Sequence, residues 1–154
     1  MLWNALNDAN KSRARVYLEF FRAIERRYGR TAAIEICKEA IRNWGRGQAG
    51  GLKAQLPNDF DGLTRSFVFA PDGGAMFRPR IERCDEEGLD VQFETCPLKS
   101  AWLEAGMAEV DVALFCEMAS EADYGTLEAA GLSVTIETWK PGRKGCCSLK
   151  IRRR

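Results

Sequence analysis

Four cysteines, Cys96, Cys116, Cys146 and Cys147, fall in the C-terminal part of a 154-residue chain that contains no histidine. That combination narrows the available chemistry. A Ser-His-Asp triad or a Cys-His pair cannot be assembled, and histidine-bound zinc is excluded within one chain. A reactive centre must be built from thiolates, carboxylates, tyrosines and cationic side chains. Three readings of the thiols stay open: separately buried small hydrophobes, ligands of a soft metal, or a nucleophilic centre. No Cys-x-x-Cys pair is present, and the separations are unlike those of zinc ribbons or knuckles. Three thiolates at Cys96, Cys116 and Cys147 would still suit zinc or another soft metal given a fourth ligand. That reading is the alternative to a site with no cofactor and no metal.

The elements that must position these residues follow from periodicity. From Ser12 to Tyr28, Val16, Phe20, Ala23 and Ile24 recur at helical spacing, with arginines and glutamates on the other face. Gly29 is a natural C-cap, and Thr31 a natural N-cap for a second helix from about Ala32 to Trp44. Ile34, Cys37, Ile41 and Trp44 form its apolar stripe, which places Cys37 in the core. A helical hairpin over 12–44 results. The run Gly45-Arg46-Gly47-Gln48-Ala49-Gly50-Gly51 breaks the pattern and lacks the Gly-Lys-Ser/Thr ending of a P-loop, so 45–52 is expected to be a flexible connector.

The α+β part covers 53–154. Ser66–Ala70 reads as a short strand or a helix end, and Pro71-Asp72-Gly73-Gly74 as a turn. Phe77–Cys84 reads as a strand that Pro79 confines to an edge or to its own start. Asp85–Gly88 is a hairpin loop, and Leu89, Val91, Phe93 and Thr95 alternate as a half-buried strand ending at Cys96-Pro97. Leu98–Gly106 reads as a short helix, and Val110 to about Tyr124 as a longer one. A second hairpin pairs Leu132, Val134, Ile136 and Thr138 with Cys147, Leu149 and Ile151 across the turn Pro141–Gly145. The order predicts a single α+β domain, 1–154, with an N-terminal helical hairpin and an antiparallel sheet of hairpins with intervening helices.

Strand phase divides the thiols. Cys147 shares a face with Leu149 and Ile151 and is expected to point inward, whereas Cys146 sides with Ser148 and Lys150 as a bystander. Cys96 ends the first hairpin, and Cys116 lies inside the long helix near Val112, Phe115 and Ala119. A helix packed across the sheet would bring Cys96, Cys116 and Cys147 together.

Composition bounds the partners. Lys+Arg of 23 against Asp+Glu of 22 leaves a net charge of +1, which argues against nucleic acid as the main partner. Arg152-Arg153-Arg154 reads as a solvated tail. No apolar run approaches the roughly 18 residues of a membrane span. The first residues lack the pattern of a signal peptide, so a cytoplasmic location with reduced thiols is expected. The expected partner is a small-molecule ligand or substrate. A homodimer through the N-terminal helices, which carry Trp3, Phe20, Phe21 and Trp44, is a further expectation.

Cys96-Pro97-Leu98, Leu114-Phe115-Cys116-Glu117 and the block from Gly142 to Cys147-Ser148-Leu149-Lys150-Ile151 together resemble the L-2-amino-thiazoline-4-carboxylic acid hydrolase family. The opening helices, Ala23–Gly29 and Ala32–Glu35, and the Gly45-Arg46-Gly47 break are similar too. The C-terminal glycine turn and cysteine strand also resemble 4-vinyl-reductase-type small-molecule-binding domains, which belong with TRAPP-like folds that often dimerise through helices. The first resemblance implies hydrolysis of a cyclic amidine-like ring to N-carbamoyl-L-cysteine; the second implies a non-catalytic module for a small molecule or soft metal. The hydrolase resemblance implies Cys116 as nucleophile with Cys96 and Cys147 lining the pocket. The family's acidic position three residues after the middle cysteine is Ala119 here, which passes the acid/base role to Glu117 or Asp123. Arg143 or Lys144 would hold the substrate carboxylate.

Overall fold

A computed structural model describes residues 2–53, 59–70 and 72–154. Its elements are α1 (Leu2–Tyr28), α2 (Arg30–Lys53), α3 (Phe60–Leu63) running into a π-helical turn over Thr64–Val68, β1 (Pro79–Cys84), β2 (Gly88–Phe93), α4 (Pro97–Glu104), α5 (Glu109–Ala129), β3 (Leu132–Glu137) and β4 (Ser148–Arg153). Four antiparallel strands form one sheet in the order β1-β2-β4-β3, and the architecture is α+β. Pro79 opens the edge strand β1, where its missing N–H costs no ladder bond. Pro71, part of the expected turn, lies outside the described residues.

The helical hairpin forms, but Val16, Phe20 and Trp44 of its expected stripes are exposed. Gly29 takes the left-handed backbone at φ +85°, and its N–H reaches Glu25 O at 2.9 Å. Ala14, Leu18 and Phe21 are the buried stripe of α1, whereas Phe20 is 64% exposed.

The glycine-rich run is not a connector. Helix α2 passes through it without interruption to Lys53. Helix propensity alone penalises each glycine by about 1 kcal/mol relative to alanine. The compensation at Gly45 is close packing against α5. A Cβ there would lie 2.2 Å from the Ala122 carbonyl oxygen, and a Cβ at Gly125 would lie 2.2 Å from that of Arg42. The two backbones therefore meet glycine against helix in both directions. The Thr126 hydroxyl lies 2.9 Å from Gly45 O as well as 2.8 Å from Ala122 O, in the turn preceding it. Arg42 then braces the crossing by pairing with Glu121 at 2.5 Å and with Glu128.

Two apolar cores result, and α5 belongs to both. Val112, Phe115, Cys116 and Met118 pack with α1, α2 and α4, where Phe115 meets Phe21 and Trp102 edge-on at 4.9 and 5.2 Å. Leu127 packs with the sheet face formed by Leu89, Val91, Leu149 and Ile151. Registry explains that face, since Leu89 pairs with Ile151 and Val91 with Leu149. The expected solvated tail begins inside β4 instead: Arg152 bonds Asp90 at 2.5 Å, and the Arg153 guanidinium lies over the Phe60 ring.

Gly45→Ala and Gly125→Ala should each destabilise the protein by about 1–3 kcal/mol through overpacking. Gly47→Ala, in the same helix with nothing within 4 Å of the new Cβ, should instead stabilise it by about 0.5–1 kcal/mol. Denaturant melts check both, and equal effects at Gly45 and Gly47 would refute the close crossing.

Candidate active site

The cysteine pair is positioned by a local irregularity just before β4. Gly145, at φ +74°, ends the turn before the strand. Two consecutive residues then share one partner: Cys146 N–H donates to Phe93 O at 2.8 Å, and Phe93 N–H donates to Cys147 O at 2.8 Å. Two residues opposite one is the arrangement of a β-bulge, which re-aims side chains next to the strand end. Regular alternation begins only at Ser148. The period-two expectation for Cys146 therefore fails: it is 1% exposed, and both neighbours face the same cavity. A glycine immediately before a strand-like run was the sequence signal for this bulge.

That cavity has a volume of about 180 Å³ and lies where the two cores meet. All four C-terminal thiols line it. Cys96 occupies the N-cap position of α4, set in extended backbone with Pro97 following as the first helical residue. Helix α5 contributes Cys116, Ala119 and Asp123, which lie on one face at helical spacing. Trp102 closes one side, fixed by its indole N–H donating to Ala14 O at 2.8 Å. Phe67 and Val68 of the π-helical turn close another, a distortion frequent at functional sites.

The thiols are electrostatically unequal. Cys146 is lowered to about 7, chiefly by a hydrogen bond from the Cys96 thiol, with Lys99 assisting through its charge and a further hydrogen bond. The same pairing raises Cys96. Burial pushes Cys116 up to about 12, and burial together with neighbouring Cys146 does the same to Cys147. The pairing favours ionisation of Cys146 over that of its neighbouring thiols. Lys99 is held in place by Gly145 O at 3.2 Å and by the Trp139 ring at 5.2 Å. Desolvation raises Asp123 to about 6, partly offset by the positive charge of Arg13.

The other candidates lie elsewhere. Glu117 is on the outer face of α5, paired with Lys38 and well exposed. Arg143 is spent within its own hairpin, on Glu137, Thr138 O and Ser148. Lys144 is exposed, and neither lines the cavity. Three residues escaped the sequence reading: Cys146, Lys99 and Arg13. The last two carried no motif, because Arg13 reaches the cavity and Lys99 reaches Cys146 from helices whose spacing reports only an amphipathic face. Among the described residues, no group of three or more Cys, Asp or Glu side chains is arranged to hold a metal ion. No described helix is long and apolar enough to cross a membrane.

No curated protein and no solved structure matches the chain. The sequence profile of the L-2-amino-thiazoline-4-carboxylic acid hydrolases matches residues 9–149, from within α1 to within β4 and across every cavity-lining element. A match over that span identifies the chain as a member of the L-2-amino-thiazoline-4-carboxylic acid hydrolase family.

Proposed function

We propose that this chain opens a small 2-amino-thiazoline-type ring by thiolate catalysis, with Cys146 as nucleophile and Asp123 as general base. The observation that carries this reading is Cys146 itself, a buried thiol lowered to about 7 inside a cavity large enough for a small heterocycle. Cys116, raised to about 12, is less suited to attack, since the thiolate is the reactive form. Cavities for drug-sized ligands run from about 300 Å³ upward, so the size of this one favours a compact substrate.

The chemistry balances without a cofactor. The Cys146 thiolate adds to the amidine-like carbon between sulfur and nitrogen, and the ring carbon–sulfur bond breaks. The released substrate sulfur takes a proton from the substrate's own protonated amidine nitrogen and becomes a thiol, and the carbon remains on Cys146 as an isothiourea. Asp123, ionised in most molecules at neutral pH, takes a proton from water as that water attacks the same carbon. The Cys146 sulfur leaves as the thiolate, which Cys96 and Lys99 stabilise again. The net change is addition of one water and conversion of the ring to an N-carbamoyl thiol. Cys96 and Lys99 act as positioning residues, and Cys147 as a neutral wall. In this reading the acid three residues after the middle cysteine is replaced by one a further helical turn along, since Ala119 and Asp123 line the cavity together.

Cys146→Ser should lower ring opening of 2-amino-thiazoline-4-carboxylate by at least about 10³-fold, while Cys116→Ser has little effect. The reverse result would transfer the nucleophile role to Cys116, and turnover in neither variant nor wild type would leave a binding module only. Asp123→Asn should cost about 10²–10⁴-fold. Because both groups work deprotonated, the wild-type rate should fall as pH drops through about 7 and then about 6. Asp123→Asn should lose the lower of these limbs. Alkylation followed by peptide mass spectrometry should find Cys146 the first of the cavity thiols modified at pH 7. Lys99→Met should slow that reaction; unchanged reactivity would count against lysine assistance.

A further inference from the structure

A larger cavity of about 450 Å³ opens beside the thiol cavity, with Trp44, Gln48, Ser66 and Thr126 in its wall. The two cavities share Arg13, Phe67, Ala122 and Asp123. Arg13 therefore stands at their junction. Its guanidinium carbon lies 5.5 Å from the Trp44 ring centroid and 5.9 Å from that of Tyr17. Aromatic contacts of this kind use the faces of the guanidinium and leave its in-plane N–H donors to find an acceptor. One of them lacks it: Arg13 Nε is buried without a hydrogen-bond partner among the described residues. Asp123 is close enough to feel the charge but is not bonded to it.

A buried donor without a partner costs about 1–3 kcal/mol, so the site is incomplete as it stands. A planar anion with two oxygens would satisfy the fork, and a carboxylate is the smallest organic group that does so. Other cations in the thiol region are occupied, Lys99 by Gly145 O and Cys146, and Arg143 by Glu137 and Ser148 of its own hairpin.

We propose that Arg13 is the specificity-determining residue of the site, holding the substrate's carboxylate at the junction of the two cavities so that the ring enters the thiol cavity. The inference rests on the ring-opening reading and adds the residue that selects anionic substrates. The outer cavity is then the approach path, and Trp44 and Tyr17 fix the guanidinium before the ligand arrives.

The test is calorimetric titration of the full chain with 2-aminothiazole-4-carboxylate and with its uncharged 4-carboxamide. Wild type should bind the carboxylate at least about tenfold more tightly, a difference expected of a charge-assisted pair. Arg13→Gln should abolish the difference and raise KM for the thiazoline carboxylate more than it lowers kcat; Arg13→Lys should restore part of it. Equal affinity of wild type for the two probes, no binding of either, or a preference that survives in Arg13→Gln would each overturn the assignment. The wild-type comparison needs no variant to fold. Preference for the carboxylate without ring opening would sink the catalytic reading alone, and ring opening with no preference would sink Arg13 alone.

Discussion

The close crossing of α2 and α5 is the constraint on which the site depends. Gly45 and Gly125 let the two helix backbones approach where any side chain would meet a carbonyl oxygen. That approach fixes α5 in rotation as well as in distance. Rotation decides which residues face the cavity, and here it turns Cys116, Ala119 and Asp123 toward the sheet while Glu117 faces Lys38 on the outside. The ion pairs of Arg42 with Glu121 and Glu128 hold the same rotation from the solvent side. They are partly exposed, so their contribution is small beside the packing they guide.

With α5 fixed, the end of the inner strand pair β2 and β4 brings its thiols to meet it. The bulge at Phe93 presents Cys146 and Cys147 together, and the start of α4 presents Cys96. Putting several thiols in one poorly solvated space forces them apart in acidity. A second negative charge there would be opposed by the first and by desolvation, so protonation of Cys96, Cys116 and Cys147 favours ionisation of Cys146. In a chain without histidine, this sharing lowers one thiol without a dedicated base beside it.

The sequence was most legible where one physical rule governed. Alternation located β2, β3 and β4, and the Pro79 edge assignment followed from hydrogen bonding alone. Gly29 marked the helical turn because a free surface turn needs its backbone freedom. The reading failed where a tertiary contact overrode the local rule. Gly45 looks like a helix breaker until the Ala122 carbonyl is placed against it, and nothing near position 45 in sequence reports on position 122. Cys146 followed the wrong phase because a bulge resets alternation, and Glu117 and Asp123 could not be separated without the rotation of α5. Arg13 was one of many arginines on α1 until its neighbours across space, Trp44 and Asp123, were known.

The bulge carries a consequence for how such a site is inherited. Sheet pairing from Ser148 onward depends on Leu149 and Ile151, none of which belongs to the irregular pair. Loss of a single residue between Gly142 and Cys146 would leave those strand contacts in register while swinging the leading cysteine out of its enclosure. Folding and reactivity are thus written in separable parts of the same hairpin. A relative with an intact sheet and every cysteine present could still be chemically silent, its difference lying in loop length rather than in any substituted residue.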